Sequence, residues 1–488
     1  VSRKIKVIID NRIRVRVGDS ELADHLKARF THDNPHREAL RYMDIPGWWA
    51  EPKRYETWND DGDGWLSVPR GGFARVKQEA HNLGRGLHVE DHRCLGTPQA
   101  GGMPDHDLSL YPHQQNAVEV ILARENGLLK APTGSGKTSV AMAMAARTGL
   151  RTLVIVPNRV LLEQWSERAQ RELHLTRKQI GEVRGGTFRI GDITIGVAAS
   201  VGKHASNPEF ARQFGTVIAD EVSLFAAKTF FSAIDPLPAR YRIGVSADHK
   251  RKDKKEFLIT DLFGDDPTTL HQKDLIASGH ILDVTIKIVP TNFRADWYGL
   301  GEEDREIDFA RLIREMSEDR DRNRLIVEAT REAARVGQVV VFAHTREHVL
   351  NLEQVISGMG TSTGLLIGGD DYSKVFAHTI EGLRKGQIQV GVGTYKAIAL
   401  GVDIPRLGYG IAATPIAANK QLLQQVRGRI CRTATGKVSA TLVYPWDRFV
   451  FPTHAENLAR WNANTVILDP ITKNWIPAKD WVKQNKSR

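Results

Sequence analysis

The chain has 488 residues, 41% of them hydrophobic and 26% charged, a composition ordinary for a soluble globular protein of about three domains. No apolar run approaches the ~20 residues of a membrane span, and two distant cysteines, Cys94 and Cys431, exclude a disulfide framework or a zinc ribbon and fit a reducing, intracellular setting. A net charge of +10 and a pI near 9.4 suit a polyanionic partner, because each phosphate neutralised releases counterions.

The first stretch, Ile5 to Val17, alternates charged and apolar residues and reads as strand, not as a signal peptide. A helix is expected from Ser20 to Phe30, then a Trp-rich stretch with Trp48, Trp49, Trp58 and Trp65, a hairpin, and a helix from Phe73 to Leu83. Asn59-Asp-Asp-Gly-Asp-Gly64 places oxygen ligands at alternate positions in the manner of a calcium loop. The twelfth position, where a bidentate Glu is needed, is Arg70, so a hairpin turn is the better reading. Asp91 to Asp107, rich in Gly and Pro, reads as a linker.

From Leu108, short apolar runs (TLVIVP, ITIGVAAS, TVIAD) alternate with helical patterns, and a second such series begins near residue 282 and ends with SATLVY. Alternation of this kind predicts βαβ units on parallel sheets. The expected organisation is an accessory α+β domain (1–105), two tandem α/β domains (106–280 and 281–445) and a C-terminal extension (446–488). A charged helix-prone segment, Glu302 to Gly337, lies inside the second series.

The sharpest local signal is Ala131-Pro-Thr-Gly-Ser-Gly-Lys-Thr138, a P-loop with Ala at the first Gly position, set between an apolar run and a helical pattern. Gly134 and Gly136, with Thr133 and Ser135, let backbone N–H groups turn onto phosphate oxygens at a helix N-terminus. Lys137 is expected to bridge the β- and γ-phosphates of ATP, and Thr138 to hold Mg²⁺. Its partner is Thr216-Val-Ile-Ala-Asp-Glu221, an apolar strand ending in two carboxylates: Asp220 for Mg²⁺, Glu221 to polarise the attacking water.

With these residues in order, the chain resembles the superfamily-two helicases, in particular the XPB-like and phage UvsW-like group, over roughly residues 108–445. The resemblance implies two RecA-like domains and adds further residues. Leu110-Tyr-Pro-His-Gln-Gln115 is similar to the adenine-reading Q motif, with Gln114 as base contact. Val156-Pro-Asn-Arg159 followed by Gln164, and Ala199-Ser200, resemble strand-contact motifs and imply Pro157, Asn158, Arg159 and Ser200 on the nucleic acid. Val245-Ser-Ala-Asp248 stands at the coupling motif. Phe342-Ala-His-Thr-Arg346 resembles motif IV (Thr345 and Arg346 on the strand). Gly393-Thr-Tyr395 with Gly401-Val-Asp403 matches motif V, implying Thr394 on the strand and Gly401 and Asp403 near the nucleotide. Gln425-Val-Arg-Gly-Arg-Ile-Cys-Arg432 matches motif VI. There Arg429 and Arg432, three positions apart on one helix, would supply charge to the γ-phosphoryl group, with Gln425 as a further catalytic residue of the motif. If they come from the second domain, ATP sits between domains and the chemical cycle becomes a domain motion.

Two departures from the family pattern fall on coupling positions: Ser223 replaces the His after Asp-Glu, and Asp248 replaces a Thr. The resemblance implies an ATP-dependent helicase acting on forked or branched DNA, with RNA left open and no membrane partner. A double-strand translocase that does not unwind, and a nucleic-acid clamp with vestigial ATPase, are the rival readings. The N-terminal Trp cluster reads either as core or as a surface on which bases stack. His249 to Lys255 reads either as a phosphate contact or as a solvated charge run.

Overall fold

The structure, a computed structural model, describes residues 4–18, 20–43, 45–100, 108–225, 227–248, 251, 253–298, 305–401 and 404–486. It divides into two compact units: Val1–Pro132 with Gly136–His271, and Gln272–Arg488 with the loop residues Thr133–Ser135.

The first unit is organised by an eight-stranded sheet. From edge to edge its strands are Thr187–Arg189, Ile180–Arg184, Ile193–Val197, Thr152–Val156, Thr216–Asp220, Tyr241–Ser246, Asn126–Lys130 and Thr268–Thr269. All neighbours are parallel except the first pair. The central strands TLVIV and TVIAD are buried along their whole length, as a parallel sheet with helices on both faces requires.

The N-terminal residues fold as a smaller sheet in the order Asn59–Gly62, Trp65–Pro69, Arg12–Arg16, Ile5–Ile9, Leu87–Asp91, covered by helices Ser20–Arg29 and Phe73–Asn82. The alternating stretch from Ile5 is therefore two strands of a hairpin rather than one. Asp63 and Gly64, both at positive φ, turn the hairpin that the calcium-like sequence forms. Arg70, at that motif's twelfth position, is buried and donates to Ala239 O and Arg240 O, just ahead of the strand Tyr241–Ser246, and to Asn126 Oδ1 at the start of Asn126–Lys130.

The segment expected as a linker is instead a strap over its described part. Cys94 and Pro98 bridge to Ala239 and Leu150, and Gln99 donates to Ala145 O and Leu150 O. Residues 101–107 lie outside the described residues. The Trp cluster divides: Trp58 packs against the small core and donates to Thr31 Oγ1. Trp48 sits under Arg37 and Arg41, and Trp49 is two-thirds exposed.

The second unit has its own eight-stranded sheet: Thr363–Leu366, Val390–Thr394, Gln338–Ala343, Leu407–Ala412, Ala440–Trp446, Val284–Pro290, Thr465–Leu468, Trp475–Pro477. The residues read as a C-terminal extension thus supply its last two strands, and Ala455, Leu458, Ile467 and Ala478 enter the same core as Leu442. Over its described part, from residue 305, the charged segment is two helices, Arg305–Glu318 and Arg320–Ala334, separated by Asp319, whose carboxylate caps the second. Among the described residues no helix is long and apolar enough to cross a membrane. The fold is α/β: two RecA-like parallel-sheet modules in tandem with a small N-terminal α+β sheet domain.

Candidate active site

In parallel α/β sheets the loops that follow strand carboxyl ends line one edge, and ligands gather there. In the first unit five loops share that edge. Those after Ile193–Val197, Thr152–Val156, Thr216–Asp220, Tyr241–Ser246 and Asn126–Lys130 carry, in this order, Ser200, Pro157 to Arg159, Glu221, Asp248 and the P-loop. The order follows from the register, in which Val197 lies opposite Val156 and Asp220 opposite Val245.

The P-loop leaves Asn126–Lys130 and enters the helix Lys137–Thr148 directly, with Gly134 at φ 90° and Gly136 at φ 80°. Gly136 is constrained twice. Its backbone is left-handed, and a Cβ there would lie 2.4 Å from Gln114 Nε2. Gln114 is buried and closes a capping box at the start of helix Pro112–Arg124, its Oε1 accepting from the Tyr111 N–H at 3.0 Å. The Q-motif amide and the P-loop are therefore packed together. Ser135 is buried in the same loop, beside Thr133 and Gly134.

Lys137, 8% exposed, points its Nζ to within 3.5 Å of Glu221 Oε1. Glu221 has φ 53° and ψ 49°, a left-handed conformation in a non-glycine residue of the kind that collects at functional sites. Asp220 before it is buried, and both its oxygens are held: Oδ2 accepts from the indole N–H of Trp165 at 2.8 Å, Oδ1 from the Glu221 N–H at 2.9 Å. Burial, then the adjacent Glu221 charge, raises the Asp220 carboxyl to about 6, against the opposing pull of Trp165 and Lys137. The donors near this edge, two carboxylates and the Thr138 hydroxyl, are all oxygen and fit a hard divalent cation such as Mg²⁺.

The departures from the family pattern still leave the segments tied. Ser223 Oγ and Ser246 Oγ are 3.1 Å apart, so two short hydroxyls link the loops after adjacent strands. The Asp248 carboxylate lies 3.7 Å from Lys130 Nζ at the root of the P-loop. Of the basic run, His249, Lys250 and Lys252 lie outside the described residues. Arg251 is buried and paired with Asp253, and Lys255 donates to Tyr55 and Glu51, so these two are structural.

Among the strand-contact residues, Asn158 caps the helix Arg159–Glu172 by accepting from the Leu161 N–H, and Arg159 pairs with Glu163 on the exposed side. Ser200 lies on the short helix Ala198–Val201. In the second unit Thr345 caps the helix Arg346–Gly358, and Arg346 donates to Gly368 O. Thr394 ends the strand next to Gln338–Ala343, so these three share a carboxyl edge of their own. Gly401 ends the helix Tyr395–Gly401, and Asp403 lies outside the described residues. Gln425 and Arg429 are on the helix Lys420–Ile430, whereas Arg432 is not: Cys431 caps that helix, and Arg432 bridges to Ile281 in extended form. The two arginines therefore do not share a helix face. Trp165 was missed by sequence reasoning, which weighed its neighbour Gln164. An aromatic on the apolar stripe of a helix carries no local sign of the acceptor it will meet.

Residues 107–251 match the family described as "Type III restriction enzyme, res subunit". The chain is 32% identical over 239 residues to Rad25 of Halobacterium salinarum, covering 48% of this chain and 38% of that protein. It is 26% identical over 347 residues to the DNA 3'-5' helicase XPB of Kineococcus radiotolerans, covering 69% of this chain and 59% of that protein. It thus spans 38% and 59% of these two relatives' length, less than two thirds of either. Among solved structures, Dbp5 of S. cerevisiae bound to RNA and ADP BeF3 aligns with a TM-score of 0.52 at 15% identity, over 78% of this chain and 97% of that one, and so shares the fold. With two RecA-like modules and the motifs in family order, the chain is similar to the superfamily-two helicases, XPB- and Rad25-like proteins among them.

Proposed function

We propose that the protein is an ATP-dependent DNA helicase or translocase that couples hydrolysis to unwinding or branch migration of forked or branched DNA. The observation that carries the reading is the approach of Lys137 Nζ to within 3.5 Å of Glu221 Oε1, on a sheet edge shared with Asn158, Arg159 and Ser200. In this reading Gln114 reads the adenine, and the Thr133 to Gly136 backbone with Lys137 holds the phosphates. Thr138 and Asp220 hold Mg²⁺, which would neutralise charge on the β- and γ-oxygens. Glu221 takes the proton of the attacking water, a role its position beside Lys137 suits. By the family resemblance Gln425, Arg429 and Arg432 act on the γ-phosphoryl group, and Gly401 and Asp403 are assigned to nucleotide binding. Pro157, Asn158, Arg159, Ser200, Thr345, Arg346 and Thr394 track the nucleic-acid backbone. The names of the curated relatives favour DNA. The match to a restriction-enzyme subunit supports translocation without unwinding as a second reading.

The test is ATPase turnover with and without DNA, together with strand separation on forks, Holliday junctions and RNA duplexes, for the native chain and Lys137→Ala. The proposal expects DNA-stimulated turnover and fork unwinding, both abolished in Lys137→Ala with DNA binding retained. Normal turnover in the variant would remove the nucleotide-site assignment, and translocation without strand separation would select the second reading.

A further inference from the structure

We propose that Trp165 is a positioning residue for the Mg²⁺-holding carboxylate, and that it joins that carboxylate to the helix whose first residues are the candidate strand contacts. The proposal rests on the reading of Asp220 as a Mg²⁺ ligand.

Trp165 is 1% exposed, and its indole N–H donates to Asp220 Oδ2 at 2.8 Å. A buried indole needs an acceptor, and a carboxylate makes the bond charge-assisted and about twice as strong as a neutral one. The other carboxylate oxygen is held by the Glu221 N–H, so the plane of Asp220 is fixed from two directions and its remaining lone pairs stay available to a cation. Orientation of this kind around a metal ligand typically controls affinity by 10–100-fold.

The same helix, Arg159–Glu172, is bound to the other half of the nucleotide site. Arg168 Nη2 donates to Ser139 Oγ at 2.8 Å, and Ser139 directly follows Thr138 on the P-loop helix. Arg168 is itself held by Glu172 at 2.8 and 3.0 Å. At its N-terminus the helix is capped by Asn158 and begins with Arg159. Six residues of helix, about 9 Å, separate Arg159 from Trp165. A rigid rod with strand contacts at its tip and two hydrogen bonds onto the nucleotide site further along gives phosphate binding a direct path to the Mg²⁺ ligand.

The experiment replaces Trp165 with Phe and, separately, with 3-benzothienylalanine, which keeps the indole's shape but carries sulfur in place of the N–H. Mg²⁺ is titrated against AMP-PNP binding to the full chain by calorimetry, with no turnover. The Mg²⁺ concentration for half-maximal binding should rise about 10–100-fold in both variants. Metal-free nucleotide affinity and nucleotide-free DNA affinity should stay at native values, and DNA stimulation of ATPase should fall at limiting Mg²⁺. A Mg²⁺ titration of the benzothienyl variant that superimposes on the native one would overturn the proposal. So would loss of its metal-free nucleotide affinity, since the N–H would then support the nucleotide pocket as a whole and not the cation's ligand. If the native chain itself binds nucleotide without regard to Mg²⁺, the assignment of Asp220 fails instead, which keeps the two outcomes apart.

Discussion

Asp261→Ala should destabilise the first unit strongly, because this carboxylate, on the helix Phe257–Phe263, joins the N-terminal residues His32, Thr57 and Arg75 to the larger α/β part of the unit. Asp261 is fully buried, and one oxygen accepts from His32 at 3.0 Å and from Thr57 Oγ1 at 2.6 Å. Arg75 Nη1 lies 2.7 Å from the other oxygen, a close charge contact, although its N–H is not aligned for a hydrogen bond. Burial pushes the carboxyl up, but His32, Arg75 and Thr57 together outweigh it and hold Asp261 below the usual carboxylate range. Removing one partner of a buried ion pair costs about 3–5 kcal/mol. The low end applies here, because half-exposed Asp265 remains 3.1 Å from Arg75 Nε. At about 2–4 °C per kcal/mol for units of 150–250 residues, ~3 kcal/mol lowers the melting temperature by roughly 6–12 °C. Scanning calorimetry of the full chain measures it. The depressed pKa contributes stability above the unfolded value of about 3.9 and loses it as pH falls through the folded one, so the gap between native and variant should close in acid. A shift under about 2 °C at pH 7, or a gap that persists in acid, would refute the reasoning.

Glu221→Gln should keep ATP binding while turnover collapses, leaving the complex trapped on DNA; an unchanged rate, measured by steady-state ATPase, would place the base elsewhere. Arg432→Ala should lower kcat by on the order of 10³-fold with little change in KM, Arg429→Ala should behave similarly, and the double variant should be non-additive. Near-normal kcat in both single variants would remove the motif VI assignment. DNA affinity should fall log-linearly with salt, as several phosphate contacts on a chain of net charge +10 require, and a flat response in a fluorescence titration would argue against a phosphate-tracking surface.

Local geometry that is written over a single turn was legible in the sequence. Glycines at Gly134 and Gly136 ahead of Lys137 need only local backbone geometry to form a phosphate cradle, and an apolar strand ending in Asp220 and Glu221 presents both acids wherever the strand lies in its sheet. The βα alternation likewise implied parallel sheets, because strands buried on both faces read as continuous apolar runs. Partner choice across distance was not legible. The Trp165 bond to Asp220 spans 55 positions and the Asp261 bond to His32 spans 229, and each depends on which strands become neighbours and in what register. Periodicity encodes which face of a strand is buried but not which strand lies beside it. For that reason the strap from Cys94 to Gln99 read as a linker, and residues 465–477 read as a tail. Thr465–Leu468 has too few residues to declare itself as a core strand, and becomes one because Val284–Pro290 leaves a parallel edge for it to complete. Only the folded sheet also showed that Arg432 leaves its helix: Ile281 offers a backbone partner that the final turn of the helix cannot.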